Sequence, residues 1–272
     1  MSFRLVALDL DGTLLDSHLR IRPQSLAAIA QLRRRGVEVM LVTGRHHAAA
    51  APYHRALGLE LPAVCCNGTY LYDYARHTAL MPNPLSRTQA LFLLRKVRES
   101  GVHALMYIED TITYERIEPH LARLLHWIDT EHPGDRAAFT HVARFEDVAI
   151  SADVVWKFAL THPTVEPLQV LVAEVEREMG LACEWSGSNR VDIAQGGNSK
   201  GALLGRWLDA HDIPHQAVIA FGDSPNDISM LKLAGMGVAM GGCADIVRHA
   251  ADWQIGSNDS DAIARALEQV FA

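Results

Sequence analysis

The stretch LVALDLDGTLLD, residues 5–16, opens with a nearly continuous apolar run, Leu5 to Leu10, that stops at Asp11-Gly12-Thr13. A short run without polar alternation is what a strand buried on both faces of a parallel sheet requires, and Asp-Gly is turn chemistry. Asp9 and Asp11 therefore stand at the C-terminal end of a first strand, the end at which open α/β sheets bind ligands. A helix is predicted next: Pro23 suits a first helical position, Leu26, Ile29 and Leu32 share one face, and Gly36 follows Arg33-Arg34-Arg35. Cations at a helix C-terminus are favoured, so the arginine triplet reads as a helix end rather than a nucleic-acid patch.

Outward from this unit the pattern repeats. Val37 to Val42 is a second strand running into Thr43-Gly44-Arg45, and Val64 to Cys66 a third that ends at Asn67-Gly68, with Tyr70, Tyr72 and Tyr74 alternating as in a hairpin arm. The order then changes to helix (Ser86 to Glu99), strands (His103 to Tyr114), helix (Pro119 to Ile128), strand (Val154 to Leu160), helix (Val165 to Met179) and strand (Leu181 to Trp185). Helix Lys200 to Ala210, strand Ala217 to Phe221, helix Asp227 to Ala234, strand Gly237 to Met240 and a last helix near Asp261 to Val270 resume the first pattern. The expectation is an α/β protein: a doubly wound, mostly parallel sheet built from residues 1–84 and 191–272, with an α+β domain inserted at 85–190.

Composition bounds the function classes. The 272 residues are 49% hydrophobic, and 32 acidic against 25 basic side chains give a net charge of -7, the wrong sign for coating a polyphosphate backbone. Four cysteines, Cys65, Cys66, Cys183 and Cys243, lack C-x-x-C spacing, which argues against a zinc site or disulfide ladder and for a reducing, cytoplasmic setting. Asp9 and Asp11 interrupt the apolar run nearest the N-terminus, and no stretch reaches eighteen apolar residues, so neither a signal peptide nor a membrane span is expected.

Two aspartates one residue apart at a strand end can be aimed at one small site, one to bind metal or attack and the other to move protons. Far downstream, Phe221-Gly222-Asp223-Ser224-Pro225-Asn226-Asp227 follows another apolar strand and delivers a second carboxylate pair to the same sheet edge. Converging carboxylates repel one another unless a cation intervenes, and an oxygen-only donor set without nearby His or Cys suits Mg2+. The competing reading is two unrelated acidic loops. Thr43-Gly44 offers a hydroxyl and a close-approach N–H to a phosphate oxygen. Lys200, behind Gly196-Gly197-Asn198-Ser199, opposes the macrodipole of the helix it begins, a placement that makes sense if it serves an anion.

In this order the residues resemble the four motifs of the haloacid dehalogenase-like hydrolase superfamily: Asp9-x-Asp11-x-Thr13, Thr43, Lys200, and Gly222-Asp223-x-x-x-Asp227. The insertion is similar to the α/β cap of the Cof-type subfamily. The segments VTGRHH, AVCCNGTYLYDY, VVWKFALTH, CEW, VDIAQGGNSKG and FGDSPNDISML extend the likeness to bacterial pyridoxal phosphate phosphatases of that subfamily. The resemblance implies a Rossmann-like core and a Mg2+-dependent phosphomonoester hydrolase acting on a small phosphorylated metabolite. Asp9 is then the nucleophile that becomes an aspartyl-phosphate, and Asp11 the acid and base. It further implies that Mg2+ is held by the Asp9 carboxylate, the Asp11 carbonyl and Asp223, with Asp227 orienting metal-bound water. The Leu10 and Gly44 N–H groups, Thr43, Lys200 and Asn226 would hold the phosphoryl oxygens. Arg45, His46 and Asn67 lie beside these motifs and are candidates for substrate contact. Alternatives are a sugar phosphate phosphatase (erythrose 4-phosphate or fructose phosphates), a phosphomutase, or a phospho-receiver that retains the phosphoryl group.

Overall fold

A computed structural model describes residues 3–118, 121, 122, 125 and 139–272, and the helix expected from Pro119 to Ile128 lies largely outside the described residues. The chain divides into two compact units: one made of the chain up to Gly44 with Tyr53–Met81 and Ser199–Ala272, the other of Arg45–Pro52 and Pro82–Asn198.

In the first unit the apolar runs form the strands β1 (Leu5–Leu8), β2 (Glu38–Leu41) and β3 (Ala63–Cys65). In chain order helix α1 (Pro23–Arg34) follows β1, and helix α2 (His47–Ala56), whose residues up to Pro52 count to the second unit, follows β2. Helix α1 starts at Pro23 as expected, but its buried face is Ser25, Ala28, Ile29 and Leu32, and Leu26 is exposed. A phase shift of one residue explains the difference: Ser25, Ala28 and Leu32 form the buried i, i+3, i+7 row, and Leu26 lies about 100° off it. The tyrosine-rich arm and the segment after it pair antiparallel as β4 (Tyr70–Asp73) and β5 (Thr78–Leu80), making with β3 a separate three-stranded sheet.

The second unit is built on one six-stranded sheet. In chain order its parts are helix α3 (Arg87–Ser100), strands β6 (His103–Ile108), β7 (Ile112–Tyr114) and β8 (Phe139–His141), helix α4 (Phe145–Ser151), strand β9 (Val155–Thr161), helix α5 (Glu166–Met179), and strands β10 (Ala182–Gly187) and β11 (Arg190–Ala194). Their order is β10-β11-β9-β6-β7-β8, with antiparallel pairs except β7 and β8. Leu93, Leu94, Phe158, Leu160, Leu171, Val175, Val191 and Ile193 fill the core between the sheet and its helices. Helix α3 opens with a capping box, Ser86 accepting from the Gln89 N–H while the Gln89 side chain accepts from the Ser86 N–H. The boundary expected at 190/191 moves to 198/199 because β11 is paired on both edges, to β10 and β9, and belongs to this sheet.

The chain then completes the first unit with helix α6 (Lys200–Ala210), strand β12 (Val218–Gly222), helix α7 (Ile228–Leu233), strand β13 (Met236–Ala239), helix α8 (Asp245–Arg248), strand β14 (Trp253–Gln254) and helix α9 (Ala262–Val270). The main sheet is all parallel in the order β14-β13-β12-β1-β2. Leu5, Ala7, Met40, Val218 and Ala220 point to the face covered by Leu203, Leu204, Trp207 and Leu208 of α6, while α1 and α9 pack together. From β1 the chain moves to β2 on one side, and from β12 to β13 and β14 on the other. The order therefore reverses between β1 and β12, which opens a crevice at their carboxyl ends. No helix among the described residues is long and apolar enough to cross a membrane.

Candidate active site

Four strand-end segments of the first unit meet at that crevice. Asp9 follows β1, its N–H bonded to the Phe221 carbonyl of neighbouring β12 at 3.1 Å. Behind it the chain turns sharply: the Thr13 and Leu15 N–H groups donate to the Leu10 carbonyl, and Gly12 sits at φ +80°. A Cβ at Gly12 would lie 2.4 Å from Asp223 Oδ2, so this glycine is needed both for its conformation and for the approach of the second carboxylate loop. Gly222 permits the close approach from the other side, since a Cβ there would lie 2.5 Å from that of Asp227.

Lys200 Nζ donates to Asp9 Oδ1 and to Asp227 Oδ1, each at 2.6 Å, and all three side chains are buried. Asp227 accepts on its other oxygen from the N–H groups of Asp223 and Ser224, both at 3.0 Å, which fixes its carboxylate inside its own turn. Asp223 accepts from the Thr13 hydroxyl at 3.0 Å and the Ser224 hydroxyl at 2.9 Å. Thr13 and Ser224 are partners that sequence reasoning left without a role, although Thr13 stood inside the first motif. Ser199, not Lys200, caps α6, accepting from the Ala202 N–H. The Lys200 ammonium is thereby left to the carboxylates.

Carboxylate oxygens of Asp9, Asp223 and Asp227 lie within 4.8 Å of one another, and one ammonium faces them. Burial raises the Asp9 carboxyl well above the usual range; Lys200 opposes this, and Asp227, Asp223 and Asp11 add to it. Burial and then Asp227 push Asp223 up to about 6, against the hydrogen bonds from Ser224 and Thr13. Lys200 is held above the ordinary lysine value by Asp227 and Asp9 in spite of its burial. Three carboxylates against one ammonium leave an excess of negative charge, and the donors are all oxygen, so the cluster fits a hard divalent cation.

Thr43 is buried at the end of β2, its N–H bonded to the Val64 carbonyl at 2.8 Å. Asn67 donates its N–H to the Thr43 carbonyl at 3.1 Å and accepts from Asn226 Nδ2 at 3.1 Å, so both residues join the same group of loops. Leu10 is fully buried, and Asp11 is exposed. Arg45 and His46 belong to the second unit. Arg45 Nη1 donates to the Ala49 carbonyl at 3.4 Å. His46 is fully buried at the end of β6, its Nε2 lying 2.9 Å from the Glu109 carbonyl and 3.1 Å from that of Ile108. Trp156 is likewise buried, its indole N–H on the Glu109 carbonyl, and Trp185 packs against the apolar core of that unit.

The chain belongs to the haloacid dehalogenase-like hydrolase family, whose profile matches residues 6–267. Over 267 residues it is 47% identical to pyridoxal phosphate phosphatase YbhA of Escherichia coli (strain K12), with 98% of each chain covered. It is 30% identical over 286 residues to 5-amino-6-(5-phospho-D-ribitylamino)uracil phosphatase YitU of Bacillus subtilis (strain 168), covering 98% of this chain and 97% of the relative. A solved haloacid dehalogenase-like hydrolase from Bacteroides thetaiotaomicron aligns with a TM-score of 0.83 at 25% identity, over 99% of this chain and 100% of that one.

Proposed function

We propose that this protein is a Mg2+-dependent phosphomonoesterase, acting through an aspartyl-phosphate, with pyridoxal 5'-phosphate as its preferred substrate and sugar phosphates as lesser ones. The observation that carries the reading is the 47% identity to YbhA along the whole chain. The Asp9, Lys200, Asp223 and Asp227 cluster supports its chemistry.

In this mechanism an Asp9 oxygen attacks phosphorus, forming an acyl-phosphate bond as the ester P–O bond breaks. Asp11 gives its proton to the leaving alcohol. It then takes a proton from the water that attacks the phosphorus, releasing phosphate and regenerating Asp9. Lys200, 2.6 Å from Asp9, favours the ionised carboxylate that attack requires and neutralises charge on the transferring group. Thr43, the Gly44 and Leu10 N–H groups and Asn226 would hold the phosphoryl oxygens. Mg2+, held by the Asp9 carboxylate, the Asp11 carbonyl and Asp223, with Asp227 orienting its water, would supply positive charge to those oxygens. Residues 1–84 and 199–272 take the part of catalytic core in this reading and 85–198 that of the substrate-selecting cap, the end of the cap moved from 190 to 198 because β11 is paired in its sheet. Cys65 and Cys66, buried and not joined in a disulfide, suit a reducing cytoplasm.

A phosphate-release panel tests the reading. Pyridoxal 5'-phosphate should give a higher kcat/KM than erythrose 4-phosphate, fructose phosphates or 5-amino-6-(5-phospho-D-ribitylamino)uracil, with activity abolished by chelation and restored by Mg2+. A higher value for any of the others reassigns the substrate. Full activity in excess chelator overturns the metal dependence, and isomerised product without free phosphate identifies a mutase.

A further inference from the structure

The loop behind β3 carries three consecutive left-handed backbone conformations, with φ +50° at Cys66, +55° at Asn67 and +85° at Gly68. Such conformations are uncommon outside glycine and tolerated best by asparagine. Their effect is to press one loop against three others. The Asn67 N–H reaches the Thr43 carbonyl and the Asn67 amide accepts from Asn226, with the two asparagines 2% and 6% exposed. A Cβ on Gly44 would lie 2.8 Å from Asn67 Oδ1 and 3.4 Å from Nδ2, so the amide is seated on the Gly44 Cα. A Cβ on Gly68 would lie 2.0 Å from the Ser199 carbonyl oxygen, immediately before Lys200. Thus the loop rests on the segments of Thr43–Gly44, Ser199–Lys200 and Asn226 together.

We propose that Asn67 is a positioning residue for the phosphoryl group, acting through Gly44 and Asn226 rather than on the leaving alcohol. The inference rests on the phosphomonoesterase reading above. Asn226 Oδ1 is buried and has no hydrogen-bond partner among the described residues, while its Nδ2 is taken up by Asn67. An acceptor there would repel an anion. A pair of side-chain amides can be joined in either polarity. In the reverse one, Asn67 Nδ2 donates to Asn226 Oδ1, and Asn226 Nδ2 is released to donate to a phosphoryl oxygen. Asn67 is thus the group that lets Asn226 present a donor, and its amide, lying on Gly44, sets the spacing between that donor and the Gly44 N–H.

The test is Asn67→Gly, which keeps the left-handed backbone and its N–H and removes the side chain with its amide. Wild type and variant are compared on p-nitrophenyl phosphate, pyridoxal 5'-phosphate and erythrose 4-phosphate, by orthovanadate inhibition, and by thermal melting. Release of phosphate by the wild type tests the underlying reading; a wild type inactive on all three overturns that reading and the proposal with it. Given an active wild type, kcat/KM should fall about 10- to 100-fold by the same factor on all three substrates, with vanadate inhibition weakened in parallel. The double variant with Asn226→Ala should fall no further than Asn226→Ala alone. A loss confined to one leaving group, full additivity in the double variant, or unchanged kcat/KM and vanadate inhibition overturns the proposal. Should Asn67→Gly fail to fold, Asn67→Asp retains the size and accepts from Asn226 but donates nothing. It should lose activity on all three substrates equally, and wild-type activity in it overturns the proposal.

Discussion

Asp9 and Asp223 show how one residue type takes different properties from its surroundings. Asp9 lies against a buried ammonium, and Asp9→Asn removes the nucleophile while keeping the shape. Phosphate release should fall by at least about 10³-fold with the melting temperature preserved, and near-normal turnover would exclude Asp9 as the attacking group. Asp223, pushed up to about 6 by burial and Asp227, binds its proton more tightly folded than unfolded. Without divalent cation it therefore favours folding below the unfolded value of about 3.8 and loses that contribution as pH rises through about 6. Asp223→Asn should accordingly stabilise the metal-free protein at pH 8 by on the order of 2 kcal/mol, read from denaturant melts, and leave stability near pH 3 unchanged. In the wild type a cation must displace that proton, so apparent Mg2+ affinity should fall about tenfold per pH unit below about 6, by calorimetric titration.

At the scale of elements, β9 and β11 carry an ion pair inside a sheet. Phe158, Leu160, Val191 and Ile193 point into the core of the second unit, so the two-residue alternation turns Lys157 and Asp192 to the opposite face, where Lys157 Nζ meets Asp192 Oδ2 at 2.5 Å. Both are buried, and Lys157 Nζ also lies 4.6 Å from the centre of the Tyr107 ring. Desolvation offsets most of the attraction in such a pair, whereas removing one partner leaves a buried charge uncompensated. Lys157→Met should therefore destabilise the protein by about 3–5 kcal/mol, and adding Asp192→Leu should recover most of the loss. Destabilisation of the double variant by the sum of the two single variants would show that these side chains act separately.

For the molecule as a whole, acid sensitivity should come from His46 and His47 of the second unit, whose rings lie 4.1 Å apart. Burial, with His47 adding to it, lowers His46 to about 3, and burial lowers His47 to about 4. The unfolded chain takes up these protons near the ordinary value of 6.5, so the stability they allow is complete above that pH and is lost as pH falls towards 3. Between pH 7 and pH 4.5 the loss from the two groups together should be on the order of 5 kcal/mol, measured by urea unfolding, and His46→Gln should flatten the slope. An unchanged slope in that variant would place the acid response elsewhere.

The local sequence determined the strand ends of the core and the residues on them. Leu5–Leu8, Val218–Gly222 and the glycines beside Asp11 and Asp223 carry short-range signals, because burial on two faces demands continuous apolar runs and tight turns demand Gly. Those signals placed Asp9, Asp11, Thr43, Asp223 and Asp227 at one sheet edge before any contact was known. Only the tertiary structure decided that β11 joins the second unit, that Leu26 is exposed, that His46 packs at the end of β6, and that Asn67 meets Asn226. Lys200 reaches Asp9 across 191 positions of chain, and Thr13 reaches Asp223 across 210. Pairings of that range, and the shifts that burial imposes on Asp9 and Asp223, depend on which surfaces exclude water from one another. Residue spacing along the chain leaves that undetermined until the sheet has closed its register and the strand ends meet.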